Sequence, residues 1–388
     1  MAPFRIMISA GESSGEIHGA ALMEAARARG LDWSFYGLGG DRMAAAGARL
    51  LAHVRETAVM GLTEVLTSAG RILAIRRSLR RSLERERPSA LVLIDAPDFN
   101  FNLARAATAL GIPVIYYICP QVWAWRPGRL KFLAAHTRRR AVLFEFEKKF
   151  YEERGVSADW VGHPILDELP SPAPRDILKN SLGFDPARRL LALLPGSRRQ
   201  VAERLAPVFF ETAAILLEHD QNLELALPRA DTLAGETLGR LVAQAPALVQ
   251  QRLRIFTQKS HQILGAADLA LVASGTASVE ATFLSVPQVV AYQASPLSFW
   301  LARRLVTVPY VTIANLVAGR EVAPEFLQER ATAANLAGAA WPLLAGGLAR
   351  ARMVDDLGQV RRQLGEPGAS GRVLDILAEE LAAGGGQL

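Results

Sequence analysis

The stretch "ALVLIDAPDFN", Ala90 to Asn100, runs from five apolar residues into a turn that carries two carboxylates, Asp95 and Asp98, with Pro97 between them. The apolar run shows no polar alternation, which is the pattern of a strand covered on both faces of a parallel sheet. Pro97 ends the strand, and "FNLARAATALG" beyond it has helical spacing. A buried strand does not end in charge without a partner or a task. Asp98 stands where the helix N-cap is expected, a position that favours aspartate for structural reasons. Asp95 ends the strand itself, has no capping duty, and is the better candidate for chemistry.

The same unit recurs outward along the chain. "FRIMISA", "WSFYGLG", "IPVIYYI" and "RRAVLFEF" are short apolar runs in the first half, each followed by a helical pattern. Strand, turn and helix in repetition indicate a doubly wound α/β domain. The pattern breaks at "GHPILDELPSPAPRD", residues 162–176, whose four prolines give it a linker composition. It restarts with "RLLALLPGS", "LELALPRA", "RLRIFTQ", "ADLALVASG" and "PQVVAYQ". The expected architecture is therefore two Rossmann-like doubly wound domains facing each other across a cleft, residues 1–165 and 166–345. A helical segment, 346–388, follows and is open to packing back on the first domain. Ligands of such domains bind at the carboxyl ends of the strands.

At 388 residues, 50% hydrophobic and 21% charged, the chain is too long for one small core and suits two domains. The net charge of +6 suits an anionic partner, whether a phosphorylated ligand or an acidic membrane surface. A single cysteine, Cys119, excludes a disulfide framework and makes a reducing compartment the default. The N-terminus reads as a first strand, not a signal peptide, and no apolar run is long enough to span a bilayer. A cytoplasmic protein, at most lying on a membrane, is expected. None of the six histidines pairs with another at metal-ligand spacing, so no zinc site is expected.

Three turns carry candidate chemistry. In "LLPGSRRQ" (193–200) Gly196 lets the backbone approach an anion, Ser197 and the helix start add donors, and Arg198 can pair with phosphate oxygens. In "VASGTASVEA" (272–281) Ser274, Gly275, Thr276 and Ser278 form a hydroxylic loop suited to a diphosphate. Glu280, one turn on, can accept both hydroxyls of a ribose. Neither turn is a Walker motif or GxGxxG, which counts against triphosphate hydrolysis and hydride transfer. In "SAGESSGEIHGA" (9–20) Glu12 and Glu16 repel phosphate, so the loop around Ser13 and Gly15 suits sugar hydroxyls. Helix-dipole complementarity explains the same acids equally well.

The basic amphipathic stretch 59–88 places Leu62, Val65, Leu66, Ile72 and Leu73 at helical spacing among Arg71, Arg76, Arg77, Arg80 and Arg81. It fits a helix on an anionic membrane or one docked on its own sheet with a solvated basic face. It offers no interleaved aromatics for stacking, so nucleic-acid recognition is not expected.

Taken together, "GESSGE", "VMGLTEVL", "IDAPDFN", "CPQVWAWRPGR", "FEKKFYEERG", "VGHP", "LLPGSR", "ASGTASVEA" and "SFWLARRLVTVPYVTIANLVAGREVAPEFLQE" resemble, in this order, the lipid-A-disaccharide synthase family. These are glycosyltransferases of the two-domain GT-B type. The resemblance implies transfer of a diacylated glucosamine from UDP-2,3-diacylglucosamine to 2,3-diacylglucosamine 1-phosphate, with inversion, giving the β(1→6) lipid A disaccharide 1-phosphate and UDP. It further implies a UDP site in the second domain (Gly196, Ser197, Arg198, Ser274, Gly275, Thr276, Ser278, Glu280, Asn315) and an acceptor side at Ser13, Gly15 and Glu16, with no metal and no cofactor. Asp95 is expected as general base in the cleft, Asp98 as its supporting cap, and Glu12 or Glu16 as a further carboxylate candidate. The acylated substrates add weight to membrane contact through Leu62, Val65, Leu66, Ile72, Leu73, Arg76 and Arg77, at the cytoplasmic face of the inner membrane. The oligomeric state is left open, a homodimer included. Three positions depart from the family pattern: Glu16 for Asp, Cys119 for Ser, and Val201 for Glu. The alternatives are another GT-B UDP-N-acetylglucosamine transferase or epimerase, or a non-catalytic UDP-sugar or lipid-binding protein.

Overall fold

The computed structural model describes residues 4–57, 62–169, 173–230, 233–257, 259–295, 299 and 308–384, with the side chains of 13, 14, 62–69 and 384 outside that set. The chain divides into two compact units, Met1–Asp167 with Leu364–Leu388, and Glu168–Gln363.

Unit 1 is built on a seven-stranded sheet in the order β3-β2-β1-β4-β5-β6-β7. Its strands are β1 (Phe4–Ala10), β2 (Trp33–Gly39), β3 (Arg49–His53), β4 (Ala90–Ile94), β5 (Val114–Tyr117), β6 (Arg139–Val142) and β7 (Asp159–Trp160). All pairings are parallel. The five residues of β4 are fully buried, because both faces are covered. Met7, Leu91, Leu93 and Tyr116 point into one core, and Ile6, Ile8, Val92, Ile94 and Ile115 into the other. Each large aliphatic side chain so buried contributes about 1.5–3 kcal/mol, enough to offset backbone ordering of roughly 1–2 kcal/mol per residue.

Unit 2 carries a six-stranded parallel sheet in the order β10-β9-β8-β11-β12-β13. The strands are β8 (Leu190–Leu194), β9 (Glu224–Arg229), β10 (Leu253–Thr257), β11 (Leu269–Ala273), β12 (Gln288–Tyr292) and β13 (Glu325–Leu327). Each sheet thus starts at a central strand, builds outward to one side, then returns to build the other. The reversal falls between β1 and β4 in unit 1 and between β8 and β11 in unit 2. In open parallel sheets the loops leaving such a pair diverge and leave a crevice for ligand.

The C-terminal segment expected as one body from residue 346 is divided. The helix Leu348–Gln363 belongs to unit 2, where it packs on the helices Thr276–Phe283 and Ile313–Ala318. Only the last helix, Ala369–Gly384, belongs to unit 1, where Val373, Leu374, Leu377 and Leu381 complete the core on one sheet face.

Candidate functional site

The two turns that the sequence marks out in unit 1 leave β1 and β4, the two strands that flank its reversal. The β4 turn is under backbone strain. Asp95 (φ 48°) and Ala96 (φ 45°, ψ 57°) are both left-handed, a conformation that costs a non-glycine residue about 1–2 kcal/mol. It persists because the surroundings over-determine it. Buried Asn100 donates to the carbonyls of Asp95 (2.8 Å), Ile94 (3.2 Å) and Ser9 (3.3 Å), and its Oδ1 accepts from Ser9 Oγ (2.7 Å). The Tyr116 hydroxyl also donates to the Asp95 carbonyl (2.8 Å), and the Asp95 N–H donates to the Tyr117 carbonyl (3.1 Å). Gly11, at the end of β1, is pressed against the same turn. A Cβ there would lie 2.4 Å from Ala96 Cβ. Asp95 is thus held at the strand end through its main chain.

Asp98 is not the helix cap. Ala96 occupies the cap position and Pro97 begins the helix Pro97–Ala109, so Asp98 falls in the first turn without a capping bond. The left-handed pair starts the helix two residues earlier than the sequence-based expectation. The Asp98 carboxylate is 76% exposed, pairs with Arg129, and lies 3.8 Å from Arg126.

In the β1 turn, Glu12 is exposed at the cap of the helix Ser13–Ala28 and makes no side-chain capping bond. The side chain of Ser13 lies outside the described residues. Gly15 is buried, and a Cβ there would be in ordinary contact with Ala10 (3.4 Å) and Ile94 (3.5 Å), so this face of the helix packs on the sheet. Glu16 is laid against Gly40, where a Cβ would strike its carboxylate. Burial raises its pKa, with nearby His53 acting in the opposite sense and Asp41 in the same one.

The loop after β5 is braced from below. Glu147, buried, accepts from Trp123 Nε1 (2.8 Å) and from the backbone N–H groups of Leu143 (2.9 Å) and Phe144 (3.0 Å). Burial pushes its carboxyl up to about 7 against those bonds. Cys119 is buried and its thiol donates to the Tyr116 carbonyl (3.5 Å), so a hydroxyl is not required at this position. Burial pushes the thiol far up, which makes it inert as a nucleophile.

In unit 2 the turns leaving β8 and β11 flank the reversal. Gly196 (φ 115°) has a conformation that suits glycine, and Val201 fills the space where a Cβ would sit. The apolar residue at 201 is therefore packing under the loop. Ser197 and Arg198 are exposed, and Arg198 caps the 21-residue helix Arg199–His219. Its guanidinium has no ion-pair partner among the described residues, unlike Arg199, which holds Glu203 at 2.9 Å. After β11, Gly275 (φ 144°) and Thr276 are exposed at the start of the helix Thr276–Phe283, and Ser274 Oγ donates to the Val311 carbonyl (3.4 Å).

Two residues of the expected UDP set are spent elsewhere. Ser278 is buried, and its hydroxyl donates to the Gly275 carbonyl (2.7 Å); it shapes the loop. Asn315 is fully buried with every amide valence filled. Nδ2 donates to Ala323 O (2.8 Å) and Glu325 Oε1 (2.7 Å), and Oδ1 accepts from Val322 N (2.7 Å) and Ala323 N (2.9 Å). No capacity remains for a ligand, and its role is to tie the helix Ile313–Ala318 to β13. Glu325 completes that knot by accepting from Thr312 Oγ1 (2.5 Å), Thr312 N (2.9 Å) and Val311 N (3.0 Å).

Glu280 is mostly buried and accepts from Ser260 Oγ (3.2 Å), with His261 Nε2 at 3.5 Å. Glu280 raises the His261 pKa by a hydrogen bond, in part against burial. Asn100, Tyr116, His261 and Glu325 were not singled out from the sequence, although Asn100, Tyr116 and Glu325 lie inside stretches quoted above.

On the helix Leu62–Glu86, the expected membrane contacts separate. Leu62, Val65 and Leu66 have side chains outside the described residues. Leu73 is 47% exposed and Arg77 is exposed. Ile72 instead packs on the unit 1 core, and Arg76 stacks over Phe99 (5.1 Å) and donates to the Asp98 carbonyl (2.6 Å). Neither is free to face lipid. Among the described residues, no group of three or more His, Cys, Asp or Glu can hold a metal ion, and no helix is long and apolar enough to cross a membrane.

Comparison with solved structures gives the fold. Acinetobacter baumannii MurG aligns with a TM-score of 0.59 at 16% identity, covering 97% of this chain and all of that one. A Neisseria meningitidis UDP-GlcNAc 2-epimerase bound to UDP-GlcNAc aligns at 0.62 and 12%, covering 98% and 100%. The architecture is that of GT-B glycosyltransferases and related epimerases. By sequence, the chain is 40% identical to the lipid-A-disaccharide synthase of Myxococcus xanthus over 98% of its length and 99% of the relative's. It is 38% identical to that of Geobacter metallireducens over 97% of each. The profile of the lipid-A-disaccharide synthetase family matches residues 6–372, and the chain belongs to that family.

Proposed function

We propose that this protein is a lipid-A-disaccharide synthase. It transfers 2,3-diacylglucosamine from UDP-2,3-diacylglucosamine to the 6-hydroxyl of 2,3-diacylglucosamine 1-phosphate, with unit 1 holding the acceptor and unit 2 the UDP-sugar. The observation that carries this is the family match over residues 6–372, with anion-type turns at the reversal of the unit 2 sheet and Asp95 held through its main chain at that of unit 1.

The chemistry is a single displacement. Asp95 takes the proton of the acceptor 6-hydroxyl as its oxygen attacks the donor anomeric carbon. The bond from that carbon to the diphosphate oxygen breaks, UDP leaves with the electron pair, and the α-linked donor gives a β-linked disaccharide. The charge that develops on the leaving diphosphate is met by Arg198, by the backbone N–H groups at the starts of the helices Arg199–His219 and Thr276–Phe283, and by the Thr276 hydroxyl. Exposed Leu73 and Arg77 support peripheral contact with an anionic membrane, taken here as the cytoplasmic face of the inner membrane where acylated substrates reside.

Purified protein given both substrates in detergent with EDTA is expected to release UDP and form the disaccharide 1-phosphate. No UDP release with these substrates, or equal release without acceptor, refutes the assignment.

A further inference from the structure

Beside Asp95, three arginines converge on Asp98, Arg76 from the helix Leu62–Glu86 and both Arg126 and Arg129 from the turn that opens the helix Arg129–His136. Arg129 pairs with its carboxylate, Arg126 lies 3.8 Å from it, and Arg76 donates to its backbone carbonyl at 2.6 Å. Aromatic faces hold the guanidiniums in place. Arg129 lies over Trp125 (5.0 Å) and Phe101 (5.4 Å), Arg126 over Trp125 (4.6 Å), and Arg76 over Phe99 (5.1 Å). Arg126 is presented by a left-handed backbone, φ 52°.

The cluster is under-compensated. Three cations meet one exposed carboxylate side chain, and an excess remains even when Asp95 is counted as ionised. Their donors are also under-used. Arg129 Nη1 and Arg76 Nε are buried and have no hydrogen-bond partner among the described residues, although the Arg129 side chain is only 12% exposed. Like charges held together with idle buried N–H groups repel one another and cost desolvation. A bound oxyanion removes both costs, and guanidinium forks match phosphate geometry.

We propose that Arg76, Arg126 and Arg129 form the pocket for the phosphomonoester of the acceptor, with Asp98 as the tether that orients Arg129. This rests on the acceptor named above. The phosphate on C1 and the hydroxymethyl group on C5 flank the ring oxygen of one rigid sugar, so anchoring the first restricts where the 6-hydroxyl meets Asp95. Asp98 thereby acts as a positioning residue, through Arg129.

The test is kinetic, with the full chain and two acceptors, 2,3-diacylglucosamine 1-phosphate and its phosphate-free counterpart. Wild type should prefer the phosphorylated acceptor. In Arg126→Met and Arg129→Met that preference should fall about ten- to a hundredfold, through loss on the phosphorylated acceptor alone and with donor KM unchanged. Arg129→Lys, which keeps the charge without the fork, should recover part of it. Equal losses on both acceptors, or none, overturn the proposal. So does a rise in donor KM, which assigns the arginines to the UDP diphosphate, or a loss confined to binding of phosphatidylglycerol vesicles, which assigns them to a lipid headgroup. If wild type turns over neither acceptor, the proposed reaction fails. Calorimetric binding of 2,3-diacylglucosamine 1-phosphate then decides the pocket by itself: wild type should bind and Arg126→Met should bind at least tenfold more weakly, and equal or absent binding overturns it.

Discussion

Gly11→Ala tests whether the left-handed turn at Asp95 is imposed from the end of β1. The new methyl would stand 2.4 Å from Ala96 Cβ, well inside contact distance, so one chain must move. Overpacking of this kind costs about 1–3 kcal/mol, and about 2 is expected here because the opposing atom belongs to a turn pinned by Asn100 and Tyr116. Ala96→Gly removes that atom. It also relieves about 1–2 kcal/mol of left-handed strain, against about 0.5–1 kcal/mol of added chain entropy on unfolding, so alone it should be neutral to slightly stabilising. The double variant should therefore regain most of the loss, with a coupling energy of about 1.5 kcal/mol or more. Urea unfolding followed by tryptophan fluorescence suits the measurement, since Trp33, Trp123, Trp125 and Trp160, four of the six tryptophans, lie in unit 1. UDP release measured alongside should fall in Gly11→Ala beyond the stability loss, because Asp95 adjoins the displaced residue, and return in the double variant. A wild-type midpoint for Gly11→Ala, or a double variant as weak as the single, refutes the argument.

Arg198→Ala should lower kcat by at least about a hundredfold and leave the unfolding midpoint unchanged, since the side chain is exposed and its capping role is backbone alone; near-wild-type turnover removes it from the site. Asn315→Ala should lower the unfolding midpoint of unit 2 by opening a knot of four hydrogen bonds worth about 1 kcal/mol each, with the activity loss tracking stability; a variant of normal stability and weakened UDP affinity would restore a direct ligand role. His261 has a pKa raised by Glu280, so its stabilising contribution is fully present below its unfolded value of about 6.5 and is lost as pH rises through the raised folded value. The stability difference between wild type and His261→Gln should therefore shrink from about pH 6 upward, and a pH-independent difference contradicts it. Leu73→Glu with Arg77→Glu should weaken binding to phosphatidylglycerol vesicles without altering the fold; unchanged binding leaves this helix as a solvated face only.

How far the candidate site could be read beforehand depended on which forces act locally. The central strands β1, β4, β5, β8 and β11 are legible because burial on two faces writes itself as an uninterrupted apolar run. The edge strands β3 and β13 and the two-residue β7 carry no such run, since an edge is only half covered, and they went unnamed. Glycines at Gly196 and Gly275 likewise declared the turns, because few other residues adopt those angles. The helix cap was expected two positions late, at Asp98 and not at Ala96, because a left-handed non-glycine pair has no local signature. Asn315 was assigned to ligand because polarity in a loop looks the same whether its partner is a substrate or the main chain of Val322, Ala323 and β13.

The sequence by itself determined the two parallel α/β units, the strand-end turns that carry Asp95, Arg198, Ser274 and Thr276, and the family. All of these follow from hydrophobic period, turn chemistry and motif order, which act over a few residues at a time. Only the tertiary structure decided the strand order that puts the turns in pairs at each reversal. It alone showed that Asn100 and Tyr116 hold Asp95, that Ser278 and Asn315 are spent on the scaffold, and that Arg76, Arg126 and Arg129 surround Asp98. Some of these bonds join near neighbours, as Ser278 to Gly275 and Asn100 to Asp95, and others join distant segments, as Tyr116 to Asp95 and Arg129 to Asp98; in each case the partner is set by the folded path of the chain and by no local pattern.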